Sequence, residues 1–403
     1  MVGMVKFALI REVVFESPVN PPANMTASDS EMPQNHAFSE WLAAELAMPL
    51  SALVIKQVAG DASPRRYFRV TPRPVESRVS PPEGEFFNAP GSEPIVSSPA
   101  FGQRSWIAVT SPSTENNAAF LDVQRLLDQS GLVVPAQYAS DLDQGFFLME
   151  DFGDVLLASQ LAPDTVDHHY LSALRELRHI VQIPVETVTL PRFDAARIAE
   201  ELSVFPEWFL CAHLGLEAEM MASGLWEDLL TLMTQVFIGQ PQSVVHRDFH
   251  SRNIMCLPND RLGFIDFQDA VVGPITYDPV SLLKDCYVQW PRTEQLRWLE
   301  AYRQALRDAG VEVPSEHVFI RDFDLVGLQR HLRVLGVFAR LCLRDAKPDY
   351  LNDLPLVLAY TREALGFYQD EPAIAAFSRW FESAVMPRIA EQSWYQPHRG
   401  DEA

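Results

Sequence analysis

Val244–Val245–His246–Arg247–Asp248–Phe249–His250–Ser251–Arg252–Asn253–Ile254–Met255 and, shortly after, Leu262–Gly263–Phe264–Ile265–Asp266–Phe267–Gln268–Asp269 are the two stretches that decide the fold. Val244–Val245 and Ile254–Met255 read as short apolar strands. The polar loop between them is therefore expected at the rim of a rigid sheet. Asp248 and Asn253 stand five residues apart, and Asp266 follows thirteen residues later, which leaves room for one hairpin.

Phosphoryl transfer needs a carboxylate to orient the attacking hydroxyl and accept its proton. It also needs hard oxygen ligands for a magnesium ion that bridges the phosphates. Asp248 supplies the first; Asn253 and Asp266 supply the second. His-x-Asp-x-x-x-x-Asn followed by hydrophobic-Asp-Phe is the catalytic and metal-binding pattern of protein-kinase-like folds, so ATP and Mg2+ are the expected cofactors. A metallohydrolase could use His246, Asp248 and His250 as a row of metal ligands. That reading leaves Asn253 and Asp266 unexplained, and no further His-x-His or cysteine set completes such a site.

Outward from the loop, the sequence implies an α+β, bilobal protein-kinase-like fold with a small β-rich N-lobe and a larger, mainly helical C-lobe. Residues 1–35, rich in proline and polar residues, read as a disordered tail or an over-extended start; Met25 or Met32 could equally begin the protein. The N-lobe is assigned to 36–153. It opens with a helix at Phe38–Leu42, followed by strands at Leu53–Ile55, Tyr67–Val70, Trp106–Val109 and Phe146–Met149. A helix over Asn117–Gln129 ends at Gly131, a fitting C-cap. Thr71–Arg104 carries seven prolines and reads as a surface insertion within a hairpin. From 154 to 395 apolar residues recur three and four apart, as at Ile198, Leu202, Phe205, Trp208 and Phe209, which predicts the helical C-lobe. The adjacent His168 and His169 are expected to point apart on their helix.

Composition excludes several classes. The 403 residues carry 32 Lys plus Arg against 54 Asp plus Glu, a formal charge of −22, which disfavours nucleic acid and anionic membranes as partners. Four dispersed cysteines with no Cys-x-x-Cys pair read as free buried thiols in a reducing compartment. No apolar run is long enough to span a membrane and no signal-peptide core is evident, so a cytoplasmic protein, with a monomer favoured, is expected.

Three further stretches carry a resemblance to a known family: Gly60–Asp61–Ala62–Ser63–Pro64–Arg65–Arg66–Tyr67–Phe68–Arg69, the loop 246–253 with Asp266–Phe267–Gln268–Asp269–Ala270, and Gly327–Leu328–Gln329–Arg330–His331–Leu332. With Gly273–Asp278 and Ala339–Leu341, they make the chain resemble the aminoglycoside phosphotransferase and choline kinase superfamily from about Phe38 to Glu363. Within it the likeness is to the anomeric N-acetylmuramate/N-acetylglucosamine kinases of bacterial cell-wall (peptidoglycan) recycling. The resemblance implies Asp248 as the base for the sugar's anomeric hydroxyl and a sugar 1-phosphate as product. It implies that Asn253 and Asp266 hold magnesium and that Gly60, Asp61, Ala62, Ser63, Arg65 and Arg66 close over the ATP phosphates. Glu150 falls at the hinge, where backbone meets adenine.

One departure from the general kinase pattern stands out: no lysine occupies Trp106–Val109, and the following helix offers no obvious glutamate partner. The cell-wall kinases share this loss, and Arg65 and Arg66 are the cations expected to replace the lysine. For the amino sugar, Glu201, Trp208, Arg252, Asp269, Gln329 and Arg330 are the candidate contacts. Asp278, after a Gly-Pro turn, reads rather as a structural tie to the catalytic loop. Two alternatives stay open: an aminoglycoside- or choline-type kinase, which needs a site for a cationic substrate, and an inactive kinase fold used as a binding module.

Overall fold

The computed structural model describes residues 36–58, 64–74, 105–216 and 224–395. The tail, Gly60–Ser63 and the part of the proline-rich insertion at 75–104 lie outside the described residues. The first lobe comprises α1 (His36–Glu45), β1 (Leu53–Gln57), β2 (Arg66–Pro72), β3 (Trp106–Thr110), α2 (Asn117–Ser130), β4 (Gln137–Asp141) and β5 (Phe146–Glu150). The strands form one antiparallel sheet in the order β1-β2-β3-β5-β4.

Strand alternation explains why both faces of this sheet are apolar. Ala108, Phe146 and Leu148 face α1 and pack with Phe38, Leu42, Phe68 and Val70. Val109, Phe147 and Met149 face the other way, join Phe120 and Leu127 of α2, and run on into the core of the second lobe. β4 went unread in the sequence because Gln137–Asp141 is a polar edge strand, with a register shift between Gln137 and Ala139. The α2 boundary is as expected: Asn116 caps its start by accepting from the Ala119 N–H at 3.0 Å, and Gly131 ends it at φ 93°.

The second lobe contains α3 (Val166–Val181), α4 (Ala195–Val204), α5 (Leu225–Gly239), β6 (Gln242–Val245), β7 (Ile254–Leu257), β8 (Arg261–Phe264), β9 (Val271–Pro274), α6 (Tyr277–Leu283), α7 (Arg292–Asp308), α8 (Glu316–Asp345), α9 (Leu354–Phe367), α10 (Pro372–Trp380) and α11 (Met386–Ala390). The strands that bracket the catalytic loop do not share a sheet: β6 pairs with β9, and β7 pairs with β8. The loop is thus pinned between two ribbons. α8, 30 residues long, runs through the centre of the lobe with Asp322 to Leu332 continuously buried. After α4 the chain continues as a π-helical segment, Phe205–His213, with Pro206 at its first turn. The wider turn changes the period, so Phe205, Phe209 and Leu210 point inward while Trp208 is half-buried.

Two smaller expectations are revised. The His168 and His169 rings meet edge-on, with centroids 5.5 Å apart. Of the four free thiols only Cys286 is buried; Cys211, Cys256 and Cys342 are half-buried. Among the described residues no helix is long and apolar enough to cross a membrane.

Candidate active site

The catalytic loop is built around a residue outside it. The Asp278 carboxylate, at the start of α6, accepts the backbone N–H of His246 at 2.8 Å and of Arg247 at 2.9 Å. Arg247 has φ 79°, a left-handed conformation costly for a non-glycine residue, and these bonds over-determine it. Ser281 adds a hydrogen bond to the Arg247 carbonyl at 3.1 Å. Burial pushes the Asp278 carboxyl up to about 7, against the two N–H groups that favour its charged form. One step later, Asp285 accepts both the N–H and the hydroxyl of Ser251. His246 is fully buried, and burial drives its imidazole down to about 4, so it is neutral.

Asp248 is partly exposed and faces Arg330 of α8, with Oδ1 3.7 Å from Nη1. Desolvation works against its charged form, but Arg330, then Arg333 and Arg247, outweigh it and hold the carboxyl down at about 2. Asn253 donates to the Asp248 carbonyl at 3.0 Å and to Asp266 Oδ2 at 3.3 Å. Asp266 sits at φ 64°, and its other oxygen accepts from Gln268 at 2.8 Å. Although the residue is exposed at the surface, the protein around it desolvates the carboxyl and, with the charge of Asp248, raises it above its ordinary value. One amide and one carboxylate side by side suit magnesium, which keeps its remaining positions for phosphate oxygens and water. Among the described residues no group of three His, Cys, Asp or Glu could hold a metal ion, so the row His246, Asp248, His250 does not form a metal centre.

The two arginines proposed for phosphate part company. Arg66 is exposed and hydrogen-bonds Gln57 at 3.1 Å. Arg65 is buried, with Nη2 3.2 Å from Oε2 of Glu115 and its guanidinium 5.3 Å from the centre of the Phe120 ring. Phe120 in turn stacks on Phe267, next to Asp266, with centroids 5.4 Å apart. Glu115 is the glutamate that inspection of the helix missed, because it precedes the N-cap Asn116 rather than lying within α2. The Glu150 side chain accepts the Ala136 N–H at 3.2 Å, and its own backbone N–H donates to the Ala136 carbonyl at 2.9 Å, so both are committed within the first lobe. Beyond it, Arg69 of β2 clasps Asp151 at 2.6 Å and Asp154 at 2.7 Å, fixing the segment that joins the lobes.

The proposed sugar contacts are unevenly placed. Glu201 is buried among arginines: its Oε1 accepts from Arg247 at 2.9 Å and lies 3.3 Å from Arg197, while Oε2 is 3.6 Å from Arg333. Asp269 is exposed, 3.8 Å from the same Arg247. Arg330 donates to the Arg247 carbonyl at 3.2 Å and so touches both loop and base. Gln329 is wholly buried on α8. Arg252 lies over the Tyr287 ring at 3.5 Å, and Trp208 packs against the helical core.

A five-stranded lobe over a helical one, with Asp248, Asn253 and Asp266 converging between them, defines a protein-kinase-like phosphotransferase. The chain belongs to the phosphotransferase enzyme family (APH), which matches residues 54–317. It is 38% identical over 257 residues to a Pseudomonas putida protein named N-acetylmuramate/N-acetylglucosamine kinase, covering 63% of this chain and 75% of that one. A Pseudomonas aeruginosa protein of the same name is 38% identical over 266 residues, 66% of this chain and 78% of its own. Among solved structures, an ethanolamine kinase of Plasmodium vivax superposes with a TM-score of 0.55 at 12% identity, over 80% of this chain and 85% of that one, a likeness of fold alone.

Proposed function

We propose that the protein transfers the γ-phosphoryl group of ATP to the anomeric C1 hydroxyl of N-acetylmuramate, N-acetylglucosamine or both, within peptidoglycan recycling in the cytoplasm. The reading rests on the 38% identity with the Pseudomonas putida kinase across 75% of that protein. The arginines around Asp248 agree with it, since Arg330 and Arg333 beside the acceptor disfavour a cationic aminoglycoside or choline.

In this mechanism Asp248, ionised at neutral pH, accepts a hydrogen bond from the C1 hydroxyl and aims its oxygen at the γ-phosphorus. The new O–P bond forms as the bond to the ADP oxygen breaks, and the hydroxyl proton passes to Asp248 and then to solvent. Asn253 and Asp266 would hold Mg2+, which would offset charge on the phosphates. Arg65 adds a cation on the nucleotide side, and Asp278 keeps the loop in its strained shape.

The test is ATP turnover across free amino sugars, aminoglycosides and choline. Asp248→Asn should lower kcat with N-acetylmuramate or N-acetylglucosamine by about a hundredfold or more, the usual scale for removing a general base. Turnover only with aminoglycosides or choline would reject the amino-sugar reading.

A further inference from the structure

Beside the catalytic loop lies a pocket of about 270 Å³ lined by Arg197, Glu200, Glu201, Val204, Arg247, Arg333, Val337 and Arg340. Four arginines against two glutamates leave it net positive, in a chain whose formal charge is −22. Glu201 engages Arg197, Arg247 and Arg333, yet the Nε atoms of Arg197, Arg247 and Arg340 are buried with no hydrogen-bond partner among the described residues. Arg247 is more than nine-tenths buried, and an unpaired guanidinium N–H at that depth is destabilising because it has given up water without gaining an acceptor. An anion in the pocket would supply the missing acceptors.

Position says which anion. Arg330, Arg333, Val337 and Arg340 follow one another at helical spacing along a single face of α8. Arg330 is at the base, Asp248, and Arg333 is three residues on, about 4.5 Å along the axis. The pocket thus begins within about one helical turn of where the reacting hydroxyl is placed. In N-acetylmuramate the acidic lactyl ether hangs from C3, two ring atoms from C1, whereas N-acetylglucosamine carries a neutral hydroxyl there.

We infer that this pocket is a carboxylate subsite, in which Arg333 and Arg340 receive the lactyl group of N-acetylmuramate. The inference rests on the amino-sugar reading above and adds the residues that separate its two substrates. Arginine suits the role because its planar fork meets both carboxylate oxygens. Glu201 acts as a positioning residue that holds the forks apart and open.

The experiment compares kcat/KM for the two sugars in the wild type, Arg333→Gln, Arg340→Gln and Arg340→Lys. Loss of a charge-assisted hydrogen bond should reduce the preference ratio of N-acetylmuramate over N-acetylglucosamine by about tenfold or more in both glutamine variants, mainly through KM for the acid. Arg340→Lys should recover part of it. An unchanged ratio in both glutamine variants overturns the subsite. Calorimetric binding of N-acetylmuramate to each variant, with melting curves to confirm folding, gives a readout independent of turnover. Should the wild type phosphorylate neither sugar yet bind N-acetylmuramate in an Arg340-dependent way, the subsite stands and the kinase reading falls. Equal affinity in wild type and glutamine variants rejects the subsite whatever the turnover.

Discussion

Asp278 contributes to the site without approaching the reacting groups. It holds two successive N–H groups, of His246 and Arg247, and so fixes the left-handed turn that presents Asp248. Asp278→Asn keeps one acceptor oxygen and loses the other, which lets the loop drift. A shift of about 1 Å at a reacting group can cost on the order of a hundredfold, so kcat should fall by about tenfold or more. The sugar KM should change less, since Arg333 and Arg340, the proposed carboxylate contacts, stay on α8; a KM effect with normal kcat would contradict the positioning role. Legibility at this scale follows sequence distance. Asp248, Asn253 and Asp266 could be read because their spacing is fixed by one loop and one hairpin, and Asp278 as a tie because of the turn before it. Arg197, Arg333 and Arg340 could not, because the fold alone brings α4, the loop and α8 together. The three-and-four spacing from Ile198 through Trp208 is read from the sequence as regular helix, and the π-helical turn that breaks it, leaving Trp208 half-buried, is not.

α8 shows how one element serves the core and the site together. A Cβ placed on Gly336 would stand 2.4 Å from the carbonyl oxygen of Val204, where α4 passes into the π-helical segment. Gly336→Ala would gain about 1 kcal/mol of helix propensity. Overpacking against rigid backbone costs about 1–3 kcal/mol, so the variant should be net destabilised in denaturant melts. Higher on the same helix, fully buried Asp324 accepts from Lys284 at 2.9 Å, Arg292 at 2.6 Å and the Tyr368 hydroxyl at 2.6 Å. Burial opposes its charge, but Lys284 and then Arg292 hold the carboxyl down at about 2, below the ordinary 3.8. A depressed carboxyl stabilises the fold above its ordinary value, and that stability is lost as pH falls from 3.8 through 2. Asp324→Asn leaves buried Lys284 with only the more distant carboxylate of Glu363, 3.7 Å away, and should cost about 3 kcal/mol at neutral pH, with the deficit shrinking below pH 4. A variant as stable as the wild type at pH 7 would show that the cluster contributes nothing. None of this network was read from the sequence, since Lys284, Arg292, Asp324 and Tyr368 are spread over 85 residues.

Across the whole molecule, the two lobes are coupled by a short physical chain. Arg65, immediately before β2, pairs with Glu115 and covers Phe120; Phe120 stacks on Phe267, which neighbours Asp266, the residue proposed to hold magnesium. In a protein with 32 cationic side chains against 54 acidic ones, a buried arginine here concentrates scarce positive charge where phosphates are proposed to lie. The absence of lysine from β3 and Arg65 as its proposed replacement were both read from the sequence, but its partner Glu115 was not, because Glu115 precedes the N-cap of α2 instead of lying within the helix. The pairing separates the two arginines by experiment. Arg65→Gln removes a cation held in place and should raise KM for ATP by about tenfold or more, the scale of a charge-assisted phosphate contact. Glu115→Gln keeps the guanidinium but weakens its anchor, so the rise should be smaller. Arg66→Gln, which changes an exposed side chain that bonds Gln57 and lies 5.6 Å from the centre of the Phe68 ring, should alter KM for ATP by less than about threefold, since surface changes of this kind cost about 0.5 kcal/mol. If Arg66→Gln proved the more damaging, the phosphate cation would be the exposed arginine, and the chain from Arg65 to Asp266 would be packing alone.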